Sequence, residues 1–511
     1  MSASSILTPT IGRAPATAAQ RSPDPLAQVP RSPVLAVAML VGVYAIPLLA
    51  ALQPWLDWDI WWHLRAGQWM SEHGHVPVND PFSTYGAEQP WVAYSWLFEV
   101  LVHGIYSHLG LIGILLFRAV MALAVVAAFH RLVARRERRF LVSTLLTGVA
   151  ALAVVPLLNE RPWVFTILFT TLTLDVVLDL REGKCGLLCW LLPVVYVLWA
   201  NLHIQFVYGF LVLGIGCAAP LLDRLLGLPN RPAASWRLVV LSAACVLATL
   251  LNPYGLRLHG VVLEYATQPL PFRVVAELTA LDFRGGRGWL VLGLALTTAF
   301  ALGRRQRLSS FEVLLFVAAA LLCFRARRDL WFVVLSALVI LPDAIPAVPG
   351  LASPVVLGKK CAALTGLVVL GLGLGYAWAR GLDEKTLRER EASVFPAKAC
   401  EEVVRCRYRG PLYNSFDWGG YLIWRLPGLR VSIDGRTNLH GEERIQRSLD
   451  TWAGRKGWRE DPELAAAGVA IAEASAPLAS LLRLDDRFKL VYQDDLAVVF
   501  VRREKSATRE H

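Results

Sequence analysis

The sequence predicts an α-helical polytopic membrane protein of about eleven transmembrane helices, followed by a small C-terminal α/β soluble domain. Three observations predict it. Of 511 residues, 55% are hydrophobic and only 18% charged, below the roughly 25% charged share of ordinary soluble domains. Apolar stretches of about 17 to 25 residues recur between short polar loops, the length that crosses a hydrocarbon core about 30 Å thick. From Asp383 onward those runs give way to short alternating strands and polar helices. The net charge of +11 does not point to nucleic acid, because Lys and Arg sit mostly in short loops between apolar runs, where they set orientation.

Residues 1–31 are rich in Ala, Ser and Pro, carry Arg13, Arg21 and Arg31, and read as a disordered cytoplasmic tail. The transmembrane region, 32–382, begins with the apolar run Pro33 to Ala51. No small-residue cleavage site and mature domain follow that run, so it is a first span rather than a removed signal peptide. A large, amphipathic first outer loop covers 54–110. Within it Tyr94 to Leu109, dotted with Glu99, His103 and His108, reads as interfacial. Leu111 to Val133 returns to the basic run Arg135, Arg136, Arg138 and Arg139. Further spans are expected near 140–158, 163–180, 186–200, 205–222, 237–251, 289–303, 310–324, 330–347 and 361–379. Their basic links hold Arg181 with Lys184, Arg224 with Arg231, Arg304 with Arg305 and Arg307, and Lys359 with Lys360. By the positive-inside rule these links and the N-terminus are cytoplasmic. The odd count then places the 383–503 domain in the periplasm of a bacterial inner (plasma) membrane, with a disordered tail at 504–511. Strands are expected around Leu412–Tyr413, Val431-Ser432-Ile433, Val469-Ala470-Ile471 and Leu496–Val501, with Gly419-Gly420 and Gly435 as turns.

In this orientation the polar residues that hydropathy does not explain converge on the outer side. Loop 1 carries Asp57-Trp58-Asp59-Ile60-Trp61-Trp62-His63, then Asn79-Asp80-Pro81-Phe82-Ser83. Other outer loops bring Asn159-Glu160-Arg161-Pro162, Asn201-Leu202-His203, Asn252-Pro253-Tyr254-Gly255 and Arg325-Ala326-Arg327-Arg328-Asp329. Ionisable groups at membrane depth are functional candidates. Asp57 and Asp59 could supply a general base for an acceptor hydroxyl, or ligate a hard divalent cation such as Mg or Mn. Arg325, Arg327 and Arg328 could hold a departing phosphate through charge-assisted hydrogen bonds, and equally suit anionic lipid headgroups. Trp58, Trp61, Trp62 and Trp69 suit an interfacial helix, as anchors or as a substrate platform. His63, four residues after Asp59, shares a helix face with it or is a surface histidine. Of 8 cysteines only Cys400 and Cys406 lie in the soluble domain, and they could pair only if a helix ends between them.

These motifs resemble the GT-C superfamily of membrane glycosyltransferases, which includes protein O-mannosyltransferases, aminoarabinose transferases and oligosaccharyltransferases. An acidic residue or pair follows span 1 in that superfamily, and Asp57 and Asp59 match it. The pattern also resembles bacterial multipass proteins carrying motifs like Asp57-x-Asp59-x-Trp61-Trp62-His63-Leu64, Asp80-Pro81-Phe82-Ser83, Arg161-Pro162, Trp199-x-Asn201-x-His203, and Asn414-x-x-Asp417-Trp418-Gly419-Gly420-Tyr421 with Asp434-Gly435-Arg436. The chain departs from the superfamily in lacking a His-Pro-Pro stretch after loop 1 and the Trp-Trp-Asp-Tyr-Gly signature of oligosaccharyltransferases. The resemblance implies transfer of a sugar from a polyprenyl-phosphate donor, a membrane lipid, to a glycan, lipid or protein acceptor at the periplasmic face. Asp57 and Asp59 would be catalytic. His63, Asp80, Glu99, Arg161, Asn201, His203, Arg325, Arg327 and Arg328 would bind substrate. The alternative is a non-catalytic multipass protein, a lipid-linked glycan transporter or envelope assembly subunit. For that alternative Asp175 and Asp179, inside one apolar span, are the clear intramembrane candidates.

Overall fold

The computed structural model describes residues 33–228, 235–267, 275–306, 308–346 and 358–503. The expected tails, and the link residues Arg231 and Arg307, lie outside them. A helix stands at each expected span: Pro33–Ala51 (α1), the second part of Trp96–Ala134, Phe140–Val154, Trp163–Arg181, Leu187–Leu202, Val207–Leu225, Ser235–Ala248, Gly286–Gly303, Ser310–Arg325, Leu330–Ile340 and Lys359–Ala379. Among the described residues, seven helices are long and apolar enough to cross a membrane. Leu187–Leu202, Ser235–Ala248, Ser310–Arg325 and Leu330–Ile340 are shorter, at 16, 14, 16 and 11 residues.

Two helices shape the first loop. Ile60–His73 (α2) lies against Trp96–Ala134 (α3), whose 39 residues are broken at Gly110, with φ 61° and ψ −152°. The break turns Trp96–Leu109 away from the apolar second half, and Glu384 of the C-terminal region accepts the Leu111 N–H at 2.9 Å. Only glycine fits at position 67, because a Cβ there would lie 2.0 Å from the Glu99 carbonyl oxygen. That close approach lets α2 lie on α3.

The basic links gather at one end of the bundle and the polar motifs at the other. At the basic end Arg131 reaches Asp175 at 3.0 Å, Arg135 pairs with Asp175 and, at 2.6 Å, with Asp179, and Arg136 reaches Asp343 at 2.6 Å. Arg136 and Arg305 share Glu312. The two intramembrane aspartates are thus counter-ions to the basic loop.

Beyond Asp383 a four-stranded sheet has the order β1-β2-β4-β3: Leu412–Asn414 (β1) runs parallel to Val469–Glu473 (β2), while Ala497–Arg502 (β4) is antiparallel to both β2 and Phe488–Gln493 (β3). Two expectations need correction. Val431-Ser432-Ile433 is not a strand of this sheet; Val431 forms isolated bridges to Leu412 and to Ser83 of loop 1, so the segment sews the domain to the loop. Gly419-Gly420 is not a turn but the start of helix Gly419–Arg425. A Cβ at position 419 would lie 2.1 Å from the Ile433 carbonyl oxygen. Helix Ala397–Arg405 runs on past Cys400, and Cys400 and Cys406 are both free thiols.

Docking on loop 1 is tight. Trp61, fully buried, meets Phe395 and Tyr421 edge-on at 5.7 and 5.2 Å, so it is neither a membrane anchor nor a platform. Asp80 and Arg436 form a buried ion pair at 2.7 Å, and Asp434 holds the same guanidinium at 2.7 Å. Arg436 and His440 keep the Asp434 carboxyl well below the usual carboxylate range against the opposing pull of burial. Burying a charge is tolerable only when paired this completely.

Candidate active site

The polar motifs close around one guanidinium. Arg161, just before the helix Trp163–Arg181, receives the loop-1 acids: its Nε lies 2.6 Å from Asp57 Oδ1 and its Nη1 2.8 Å from Asp59 Oδ2. A third carboxylate, Glu277, lies 3.3 Å from the same nitrogen. Asn159 donates to Asp57 at 2.9 Å, and Glu160 accepts the Asp57 N–H at 2.5 Å while pairing with buried Arg118 at 3.0 Å. Arg118 in turn donates to the carbonyls of Ala51 and Trp55. The chain leaving α1 is therefore fixed by Arg118 of α3 and by the loop residues Asn159, Glu160 and Arg161. Asp57 is locked in place, and Asp59, at the start of α2, is aimed outward.

Asp59 faces a cavity of about 1100 Å³ between the bundle and the C-terminal domain. His63, Arg161, His203, Arg325 and Arg328 also line it. The C-terminal domain supplies the facing wall, including Asp417, Thr437 and Glu473. At Gly435 a Cβ would come within 2.4 Å of Asp59 Oδ1, so a larger residue in this turn would push the carboxylate out of its place. Asp59 retains 22% side-chain exposure. Burial raises its pKa to about 6, opposed by Arg161 and reinforced by Asp57 and Glu277. The Arg161 guanidinium stays charged, its pKa raised by Asp57, Asp59 and Glu277 against burial. It lies 4.8 Å from the Trp163 ring, and Arg328 lies 5.5 Å from the same ring.

The remaining expected site residues divide between the cavity and its surroundings. His63 is not on the surface; it is 3% exposed, with Nδ1 3.4 Å from Glu99 Oε1. Burial, with the cations Arg161 and Arg436 and with His203 nearby, holds its pKa well below the usual value. Glu99 supports His63 from behind and does not line the cavity. Asp80 is committed to Arg436, Ser83 and the amides of Phe82 and Ser83. Asn201 accepts from Trp96 at 2.7 Å and donates to the Leu251 carbonyl at 2.9 Å, so it ties its helix to the start of α3 rather than lining the cavity. Arg327 points away, 3.5 Å from half-exposed Asp282. His203 does line the cavity, with Nδ1 2.9 Å from Thr166 Oγ1, and burial lowers its pKa well below normal.

The carboxylates do not fit a divalent cation. Asp57, Asp59 and Glu277 all turn to Arg161, and Glu277 also to Arg328 at 3.6 Å, so that a cation here would have to displace a guanidinium; among the described residues no group of three or more His, Cys, Asp or Glu could hold a metal ion. Sequence reasoning missed Glu277, Asp329, Asp417 and Glu473 as lining residues. Asp417 sits in the quoted Asn414-x-x-Asp417 pattern, and Glu473 ends the apolar β2 run, a place where a polar residue signals an exposed strand end. Glu277 follows no period and carried no signal.

No family model and no curated protein matches this chain. Among solved structures, ArnT from Cupriavidus metallidurans bound to undecaprenyl phosphate aligns with a TM-score of 0.50 at 16% identity, over 91% of this chain and 97% of that one. The apo oligosaccharyltransferase of Archaeoglobus fulgidus aligns with a TM-score of 0.47 at 12% identity, over 86% and 69%. The chain has an ArnT-like polytopic fold.

Proposed function

We propose that the protein is a glycosyltransferase that moves a sugar from a polyprenyl-phosphate donor to an acceptor at the periplasmic face. The observation that carries this reading is the placement of Asp59 in a cavity that also holds Arg161, Arg325 and Arg328. Its fold relative was crystallised with undecaprenyl phosphate, a carrier lipid of the kind the proposal requires. The acceptor hydroxyl attacks the anomeric carbon and Asp59 takes its proton. The bond from that carbon to the phosphate oxygen breaks, and the charge on the departing lipid phosphate is met by Arg328 and Arg325. Arg161 holds Asp59 in line, and Trp58 and Trp62 form an aromatic edge of the cavity. The side assignment rests on the basic links gathering at the opposite end of the bundle, where the positive-inside rule puts the cytoplasm.

The transporter reading needs ionisable groups available along a path near the midplane. Asp175 and Asp179 are instead saturated by Arg131 and Arg135. The test is sugar transfer in proteoliposomes supplied with a panel of radiolabelled polyprenyl-phosphate sugars and membrane extract as acceptor. Label leaving the polyprenyl pool only when protein is present supports the transferase. Donor that crosses the bilayer intact, with no label transferred, overturns it in favour of transport.

A further inference from the structure

A second cavity, of about 670 Å³, opens where α2 and the first half of α3 meet the C-terminal domain. It shares no lining residue with the cavity over Asp59. Four arginines line it, Arg65 from α2 and Arg388, Arg405 and Arg425 from the C-terminal domain, against one carboxylate, Glu401. Three of these guanidiniums have acidic partners. Arg388 reaches Glu384 and Glu391 at 3.0 and 2.9 Å, Arg405 reaches Glu402 at 2.6 Å, and Arg425 reaches Glu401 at 3.6 Å.

Arg65 differs. Its Nη1 donates to the neutral Gln68 at 2.8 Å, it forms no ion pair among the described residues, and its Nε is buried without a hydrogen-bond partner. A partly buried guanidinium without a counter-ion carries a desolvation cost that an anion would relieve. Aromatic side chains sit on the same wall. Tyr106 and Trp424 meet edge-on at 5.3 Å, and Arg388 donates to the Tyr106 hydroxyl at 2.6 Å. Leu101 and Leu109, exposed on the same half of α3, mark a level where apolar and polar surroundings meet.

We propose that this seam cavity binds a phosphate group, presented by an anionic phospholipid headgroup at the membrane surface. Arg65 contacts it from α2 and the three C-terminal arginines contact it from the other side. Guanidinium forks suit phosphate oxygens, and a phosphate held between the two parts favours the docked state of the C-terminal domain.

Thermal unfolding of the purified full chain in dodecyl maltoside tests this, with phosphatidylglycerol, phosphatidylcholine or inorganic phosphate titrated in. Phosphatidylglycerol raises the unfolding temperature saturably and phosphatidylcholine does not. In Arg65→Gln the half-saturating phosphatidylglycerol fraction rises by about tenfold, the loss of one charge-assisted contact, and Arg65→Lys recovers most of it. Should Arg65→Gln fail to fold, Arg405→Gln, whose side chain is 72% exposed, gives the same readout. Stabilisation by inorganic phosphate that also depends on Arg65 keeps the phosphate site but overturns its lipid source. Equal responses of wild type and both Gln variants overturn the site.

Discussion

The two ends of the helix bundle use the same ingredients to different ends. Each gathers several arginines and carboxylates from distant segments. At the basic end Arg131, Arg135, Arg136 and Arg305 are matched with Asp175, Asp179, Glu312 and Asp343. At the other end Arg161 is shared among three acids, and one of them, Asp59, also faces a cavity roofed by a separate domain. Ion pairing is common to both, so pairing does not mark function. Enclosure does: beside a cavity a carboxylate is desolvated enough to have its pKa raised while a substrate can still reach it.

Substitutions at the two ends should therefore fail in different ways. The largest effect is expected at Asp59. Asp59→Asn should lower transfer by about 10²- to 10⁴-fold, the usual contribution of a positioned base, with an unchanged unfolding temperature. Transfer assays and thermal unfolding on one preparation measure both. Arg161→Gln comes next. Three carboxylates left facing one another should lower activity about 10- to 100-fold and move the acid limb of the pH–rate profile upward, because the cation that opposes protonation of Asp59 is gone. A downward move would show that Arg161 does not hold Asp59 ionised.

Asp175→Asn should reverse the pattern. It should cost about 2–3 kcal/mol of stability, less than the 3–5 kcal/mol of a broken buried pair, because Arg131 is 63% exposed and Arg135 keeps Asp179 as a partner. The folded fraction should keep the wild-type KM and kcat. Loss of transfer in well-folded Asp175→Asn would collapse the distinction between the two ends. The smallest effect is expected for Arg327→Gln, which touches only half-exposed Asp282. Activity should change by less than about twofold and stability by less than about 0.5 kcal/mol.

The bundle was legible in the sequence because each expected span is a long, mostly apolar run set between polar or basic links. The sequence places Asp57, Asp59 and Arg161 in loops at the same end of the bundle, but that Arg161 pairs with both acids was not legible in it. What local pattern could not carry was everything decided across the domain seam. Trp61 reads as an interfacial anchor until Phe395 and Tyr421 cover it, and Asp80 reads as a substrate ligand until Arg436 arrives from 356 residues away. His63 is buried because Glu99 and Phe98 of α3 close over it. The same blindness hid the wall built by Asp417 and Glu473, which line the cavity over Asp59 only once the C-terminal domain is docked, while Glu277 reaches Arg161 from a distant loop of the bundle itself.

The most direct test of the central claim, that Asp59 is the working base of a lipid-linked sugar transfer, is the pH–rate profile of transfer in wild type and Asp59→Asn. A base acts in its deprotonated form, so wild-type activity should rise with pH through a midpoint near the Asp59 pKa of about 6, and that limb should be missing from the residual activity of Asp59→Asn. A wild-type profile that is flat across this range, or the same limb persisting in Asp59→Asn, would contradict the account.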